Sequence, residues 1–506
     1  MRTVTGRSDQ VVVVGAGLAG LSTAIHLAGR GREVTVVERE AVPGGRMGRL
    51  DLGGYRIDTG PTVLTMPDLL DEVFDAVCER TEDRLDLRPV TPAYHAVYAD
   101  GRTLDVHSDE ETMVHAITEF AGPEQAAGYR RLREWLNKLY RAEFDRFIGA
   151  NFDSPLSMVT PALARLTALG GFRTWNSKVA EYISDPDLRR VFTFQSLYAG
   201  VAPDQALAAY AVIAHMDTMS GVFFPRGGMR AVPDALAAAA ADAGVRFRYQ
   251  STVAQVECAG GRVTAVRTDE DERIACDAIV LTTELHRTYE LLGHRSRRPL
   301  ATRPAPSAVV LHIAGDPGLH EIPHHSLLFG AAWQSAFREI IDEGRVMSDP
   351  SLLLTRPTAG DPSLAPDGRE LLFLLAPAPN LQRGLIDWPS FQQSYAEQVM
   401  DIAKRRLGTR AWRNAELLRV VTPTDWAGKD MVAGSPFALA HTFAQTGPFR
   451  PANMIRGFDN VVLAGGSTVP GVGIPPVLIS GRLAADRITG HSYIRRRAAT
   501  STRTIL

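Results

Sequence analysis

The run VVVVGAGLAGLSTAIHLAGRGREVTVVERE, from Val11 to Glu40, restricts the possible folds more than any other stretch of the chain. Four consecutive β-branched residues, Val11 to Val14, predict a strand buried on both faces in a parallel sheet. Gly15-Ala-Gly17-Leu-Ala-Gly20 follows without a spacer. In a dinucleotide site Gly15 would permit the tight turn, Gly17 would let backbone approach a pyrophosphate, and Gly20 would let the next helix pack closely on the sheet. The phosphates would then face a helix N-terminus carrying about half a positive charge. Leu18, Leu21, Ile25 and Ala28 give that helix its apolar stripe, and Gly29 and Gly31 end it. A second strand, Glu33 to Val37, runs into Glu38, where a carboxylate would meet a ribose hydroxyl.

Two other readings of this stretch exist. Val11 to Gly29 is nearly uncharged and is preceded by Arg2 and Arg7, as a membrane span would be, but four glycines and a strand-like opening argue against a spanning helix. The glycines by themselves also suit an ordinary nicotinamide enzyme. The residues that follow shift the balance, because Gly44-Gly45-Arg46 and then Gly53-Gly54-Tyr55-Arg56-Ile57-Asp58-Thr59-Gly60-Pro61 make two further glycine-rich passes. A larger cofactor folded along the protein would require such passes. A glycine-rich hairpin loop over 44–61 is the simpler alternative.

Composition bears on partners. A net charge of −2, with 22% charged and 45% hydrophobic residues, excludes a polyanion-binding signature, so no nucleic-acid partner is expected. The length of 506 residues allows two or three cores. Cys78, Cys258 and Cys276 have neither metal nor redox spacing and are read as buried or inert thiols of a reducing compartment. No histidine pair with a third ligand at metal spacing is present, so no metal site is expected.

Along the chain, Asp68 to Arg80 reads as a short amphipathic helix, with strands at Tyr94 to Tyr98 and Thr103 to His107 joined at Gly101. Pro123 to Ile148 reads as a surface helix with Leu132, Trp135, Leu136, Leu139 and Tyr140 on one side and a solvated charged face on the other. Phe152 to Ala214 is unusually apolar; its opening, LSMVTPALARLTALGGFRTW, mixes Leu156, Met158, Phe172 and Trp175 with Arg165, Arg173 and Lys178. That mixture suits helices lying in a membrane interface, or equally a lid over an internal core. Asp153 and Arg173 fall near the expected entrance, though ordinary surface roles suit them better. A helix from Ala235 to Ala243 precedes a β-meander from Val245 to Thr282, in which the strand holding Val253 would pass the adenine. Strands at Ala308 to Ile313, Leu352 to Leu354 and Leu371 to Leu375, with helices at Trp333 to Asp342 and Trp388 to Leu407, would floor a cavity. Near the end, strand Val461 to Ala464, the Gly465-Gly466 turn and a helix started by Pro475 or Pro476 aim a second helix pole at the cofactor.

Together GAGLAGL, PGGR, RIDTGPT, SLYAG, FPRGGM, QTGPFRP and AGGSTVPGVGIP resemble the bacterial phytoene desaturases, the carotenoid-forming branch of the FAD-dependent amine oxidase and phytoene desaturase superfamily. The chain departs from that pattern at Val469, where many members carry histidine, and at Ile474-Pro475-Pro476, where many carry Gly-Ile-Pro-Gly. The resemblance implies an α/β fold: a Rossmann-like FAD-binding domain of the two-dinucleotide type, a discontinuous α+β substrate domain, and a helical, membrane-facing lid. The expected division is 1–90 with 221–287 and 421–490 for FAD, 91–220 with 288–420 for substrate, the lid at 152–220, and a basic tail at 491–506. The expected FAD-binding set is Gly15, Gly17, Gly20, Glu38, Arg39, Gly45, Arg46, Gly60, Pro61, Val253, Gly466, Gly473 and Ile474. No proton-accepting residue is assigned.

The activity implied is stepwise, FAD-dependent dehydrogenation of a long isoprenoid hydrocarbon, phytoene, toward lycopene. At about 0.8 kcal/mol per buried CH₂, so large a hydrocarbon is disfavoured in water by on the order of tens of kcal/mol and must enter from lipid. A cytoplasmic protein held peripherally at the membrane lipid surface is therefore expected. No second GxGxxG motif is present for NAD(P), leaving quinone or oxygen to reoxidise the flavin. Rival readings are a related desaturase, isomerase or oxygenase of carotenoids or squalene-derived lipids, and a non-catalytic prenyl-binding chaperone of the same fold.

Overall fold

The computed structural model describes residues 1–293, 301–316, 319, 321–408, 412 and 414–491; the expected basic tail lies, beyond His491, outside them. Strand Gln10–Val14 is the centre of a five-stranded parallel sheet in the order Val461–Leu463, Ala278–Leu281, Gln10–Val14, Glu33–Val37, Arg246–Arg248. Its valines are buried, as the absence of any polar alternation in the sequence requires. All five strands run the same way, so their C-terminal ends and the turns leaving them collect along one edge. That edge carries both Gly15 and Gly465.

Two helices lie together against this sheet, Leu18–Ala28 and Ile474–Thr489. Their backbones approach so closely that a Cβ on Gly481 would stand 2.6 Å from the Ala19 carbonyl oxygen. Ser22 Oγ donates to the Leu478 carbonyl at 2.8 Å across the same contact. The two ends of the chain thereby share one core. A three-stranded antiparallel meander, Val253–Ala259, Arg262–Thr268 and Arg273–Ala275, covers one flank.

The second large sheet has seven strands in the order Glu416–Val421, Ser307–Gly315, Glu370–Ala378, Leu352–Thr355, His325–Leu328, Tyr94–Val97, Thr103–Val106. It joins the segment near residue 100 to that near residue 330 through a parallel pairing of Tyr94–Val97 with His325–Leu328. The latter strand was not expected, since HSLL is short and opens on a histidine, yet all four of its residues are buried.

Several expectations are corrected. The helix expected over Pro123 to Ile148 is an α-helix only to Glu143 and widens into a π turn at Phe144–Ile148; Leu132, Trp135, Leu136 and Leu139 face the core from one side, as expected, and Arg131, Glu134, Lys138 and Arg141 stand in solvent on the other. The expected Asp68 to Arg80 helix ends at Asp75, because Cys78 takes a positive φ of 60°. The helix expected over Trp333 to Asp342 is a short α-helix, Gln334–Arg338, passing into a π segment, Glu339–Glu343. Cys78 and Cys258 are exposed, and only Cys276 is buried; desolvation raises the Cys258 thiol and pushes that of Cys276 up to about 12. Residues 44–61 divide: Arg49–Leu52 and Tyr55–Asp58 form a hairpin turning on Gly53-Gly54, whereas Gly44 pairs with Gly17 outside it. The apolar stretch 152–214 also divides, with Trp175 and Leu166 in the core and Leu156, Val159 and Phe172 exposed. No helix among the described residues is long and apolar enough to cross a membrane.

Burial also sets how the fold responds to pH. Six histidines, His26, His215, His312, His324, His325 and His441, lie well below their ordinary range because desolvation disfavours the cation. On acidification they take up protons in the unfolded chain and not in the folded one, so folding weakens as pH falls through the ordinary imidazole range. Asp58, raised to about 6, Asp217, raised to about 7, and Glu143, also raised, act in the opposite sense. Six such sites outweigh three. The melting temperature is therefore expected to fall between about pH 7.5 and about pH 5.5, measured by circular dichroism at fixed ionic strength.

Candidate functional site

The turns along the parallel edge open into a cavity of about 1480 Å³ that continues beneath the apolar stretch 152–214. Every residue of the expected cofactor set except Gly20 lines it. Gly20 instead packs the helix on the sheet, since a Cβ there would stand 2.0 Å from the Gly15 carbonyl oxygen. Gly15 has a φ of +103°, and a Cβ on it would meet Thr282 Oγ1 at 2.4 Å. Both positions therefore need glycine, one for close packing and one for the turn.

The glycine passes meet at the cavity floor. Gly44 N–H donates to the Ala16 carbonyl at 2.9 Å, which straps the second pass onto the first turn. A Cβ on Gly45 would lie 3.1 Å from Gly17 Cα, so this pair of backbones can face a ligand only while both lack side chains. Glu38 is buried; Oε2 accepts from the Ala16 N–H at 2.5 Å and Oε1 from the Glu40 N–H at 2.9 Å. A carboxylate offers about four acceptor directions, so capacity for a diol remains. The site thus fits a dinucleotide: bare backbone, a helix pole and a fixed carboxylate converge on one space.

The arginines do separate jobs. Arg46 pairs with Glu284, whose other oxygen accepts from Ser467 Oγ at 3.0 Å, linking the second glycine pass to the C-terminal turn. Loss of solvent lowers the Arg46 guanidinium to about 10, which leaves it cationic at neutral pH. Arg39 lies at the rim and pairs with Asp430 while donating to the Lys429 carbonyl at 3.2 Å. Gly60 allows the chain to cross Arg46, since its Cβ would stand 1.9 Å from the Arg46 carbonyl oxygen. Asp58 accepts from the N–H groups of Met229 (2.8 Å) and Arg230 (3.1 Å), fastening the RIDTGP turn to the FPRGGM turn.

At the C-terminal side Gly466, Val469, Pro470, Gly473 and Ile474 line the cavity. The helix starting at Ile474 has prolines at its second and third positions, so Ile474 is the one amide among the first three that can point at a ligand. The turn before it is clamped by Arg450, which is fully buried and donates to the carbonyls of Thr468 (3.0 Å), Gly466 (2.6 Å), Leu439 (3.2 Å) and Gln445 (3.3 Å).

Beyond the turns the lining becomes apolar. Ile148, Met158, Leu166, Phe172, Ile213 and Met216 come from the helical side, and Val310, Leu353, Phe373, Leu375 and Val421 from the seven-stranded sheet. Where Met158, Phe172 and Gly447 meet the cavity rim, Leu156 (80% exposed), Val159 (74%) and Phe443 (59%) stand in solvent. Asp153 and Arg173 have the ordinary roles expected of them, pairing with Arg487 and Glu181 respectively.

Titratable groups in the apolar part were not singled out by sequence. Glu143, Asp217, Tyr198, Tyr210 and His441 line it, and desolvation drives each toward its neutral form. Asp217 accepts from Tyr94 O–H at 3.1 Å. Glu143 sits on the face of its helix that packs inward, where its neighbours are apolar; a lone acid on an otherwise hydrophobic helical stripe was the available signal.

Comparison with known proteins gives consistent results. The family model for flavin containing amine oxidoreductases matches residues 18–489. The chain is 57% identical to a phytoene dehydrogenase of Streptomyces griseus, covering 98% of each chain. It is 34% identical to a zeta-carotene-forming phytoene desaturase of Myxococcus xanthus (95% of this chain, 93% of the relative) and 30% identical to a lycopene-forming phytoene desaturase of a Paracoccus species (94% and 96%). Among solved structures, an oxidoreductase from Methanosarcina mazei superposes with a TM-score of 0.62 at 15% identity, covering 93% of this chain and 98% of its own. A putrescine oxidase superposes at 0.61 and 16%, covering 95% and 99%; these two likenesses speak for the fold alone.

The crossing at Gly60 provides a test. Gly60→Ala places a Cβ against the Arg46 carbonyl and is expected to push Arg46 from the cavity wall. The purified variant should retain about tenfold less bound dinucleotide cofactor, read as cofactor absorbance per mole of protein, with far-ultraviolet circular dichroism unchanged.

Proposed function

The chain belongs to the flavin containing amine oxidoreductase family, and from that premise we propose that it is an FAD-dependent carotenoid desaturase acting on phytoene. The observation that carries this reading is the continuity of the cavity: the glycine turns from both chain ends and a long apolar chamber form one space. FAD is the cofactor. Gly15, Gly17, Gly45 and the Leu18–Ala28 helix pole hold its pyrophosphate, Glu38 its ribose, and the Val253 backbone faces its adenine. Arg39, Arg46, Gly60, Pro61, Gly466, Gly473 and Ile474 complete the set, with Gly20 supporting from behind. When bound, the flavin supplies the two-electron oxidation that removes hydride from an allylic carbon. The chain's own part is to exclude water, to hold a hydrocarbon without polar handles by shape, and to receive a proton.

The corresponding domain division is 1–90, 221–287 and 421–490 around FAD, and 91–220 with 288–420 around the substrate. Conversion proceeds stepwise toward lycopene; the relatives named for lycopene and for zeta-carotene formation make the number of steps the point to be measured. The exposed rim of Leu156, Val159, Phe172 and Phe443 supports docking on a lipid surface, from which phytoene enters. Quinone or oxygen would serve as the final electron acceptor.

Expression in a host that accumulates phytoene should yield coloured polyenes, resolved by chromatography. Lycopene as end product supports the full reading, zeta-carotene shortens it, and unchanged phytoene rejects it. For the rim, Leu156→Glu combined with Val159→Glu is expected to reduce the fraction floating with liposomes several-fold while bound flavin is retained.

A further inference from the structure

His441 stands in the cavity wall beside the C-terminal turn, with its ring laid on Gly471. A Cβ on Gly471 would meet Cε1 at 2.2 Å and Nε2 at 2.7 Å, so the imidazole occupies the space that a side chain there would need. The backbone also fixes it, the His441 N–H donating to the Ala199 carbonyl at 2.8 Å.

The hydrogen bonds around the ring assign its tautomer. Thr446 Oγ1 donates its only proton to the Thr442 carbonyl at 2.7 Å. Toward the Tyr210 hydroxyl, 2.6 Å away, Thr446 can then only accept, and Tyr210 donates. The Tyr210 proton being committed, its oxygen must accept from His441 Nδ1 at 3.0 Å, so Nδ1 carries the hydrogen. Burial, reinforced by the Arg450 charge, keeps the ring neutral. Nε2 therefore carries a lone pair, and no described residue hydrogen bonds to it.

Resting on the desaturase reading, we propose that Nε2 of His441 is the base that takes the proton in each desaturation. Hydride leaves one carbon for the oxidised flavin with both electrons of its C–H bond. The neighbouring carbon releases a proton to Nε2, and the electron pair of that second C–H bond becomes the new C=C bond. The hydrocarbon is oxidised by two electrons, the flavin is reduced by two, and His441 becomes imidazolium. The imidazolium proton leaves when a quinone or dioxygen takes two electrons and two protons from the reduced site.

A weak base suffices, because a C–H bond next to an allylic carbon losing hydride is strongly acidic, and a weak base releases its proton again. The other groups facing the chamber are less suited. Burial favours the protonated form of Glu143, which has no proton vacancy in that form, and pushes Asp217 up to about 7, so that a share of it is likewise protonated at neutral pH.

The test uses holoenzyme on liposomes containing phytoene, with anaerobic loss of oxidised-flavin absorbance as the readout, alongside nitrogen NMR of histidine-labelled wild-type protein. His441→Gln is expected to keep its FAD and to slow flavin reduction by about 10²- to 10⁴-fold. His441→Gly should recover part of the rate with added imidazole, and Tyr210→Phe should lose about severalfold through a less defined tautomer. The spectrum should show His441 protonated at Nδ1 and bare at Nε2. A His441→Gln enzyme reduced within about twofold of the wild-type rate, or a ring protonated at Nε2, overturns the proposal. Should the substitution impair folding, the wild-type spectrum and the Tyr210→Phe rate decide. If phytoene leaves wild-type flavin oxidised, the desaturase reading itself fails, and the proposal with it, whatever the tautomer.

Discussion

The close contact between helices Leu18–Ala28 and Ile474–Thr489, made at Gly481, is the constraint on which the rest of the molecule depends. A Cβ on Gly481 would collide with the Ala19 carbonyl and the Ser22 side chain, so a side chain of any size would part the helices. Each helix begins at the cavity and runs back along the parallel sheet, so their spacing fixes the separation of the Gly17 and Gly473 turns. Parallel strands make this possible, because they release all their exits on one edge. A nucleotide cleft built this way needs little side-chain chemistry. Its glycine turns present bare main chain to the cavity, and its carboxylate, Glu38, is held by two amides.

The cavity then has to pass from a polar cofactor site to an apolar chamber without burying uncompensated charge. Arg450 resolves the boundary on one side, its guanidinium spread over four carbonyl oxygens, two from the C-terminal turn and two from the segment holding Leu439 and Gln445. Arg46 does so on the other, paired to Glu284. Deeper in, burial drives the polar groups toward their neutral forms: the Glu143 carboxyl and the His441 imidazole strongly, and the Asp217 carboxyl, bonded by Tyr94, up to about 7. The low dielectric of the chamber thus sets the protonation state of the residues that line it.

Much of this was written locally. Val11–Val14, the three glycines after them and Glu38 predict strand, turn, helix and acid because each depends on backbone sterics within a few residues, and the structure has them in that register. Helix Trp388–Leu407 has the limits that its sequence gives it. Failures occurred where long-range contacts overrule local pattern. His325–Leu328 is a strand because two neighbours pair with it. Cys78 and Cys258 show that cysteine spacing excludes a metal motif without saying anything about exposure.

The sequence by itself determined the nucleotide turns and the family, since glycine at a crowded backbone and valine in a doubly covered strand leave few alternatives. Tertiary structure alone decided that Gly471 seats His441 over the C-terminal turn, that Tyr210 and Thr446 orient its ring, and that Glu143 faces inward. Those residues come from segments distant in the chain, and their protonation states follow from burial. Burial is a property of the packed molecule, which no local run of residues encodes.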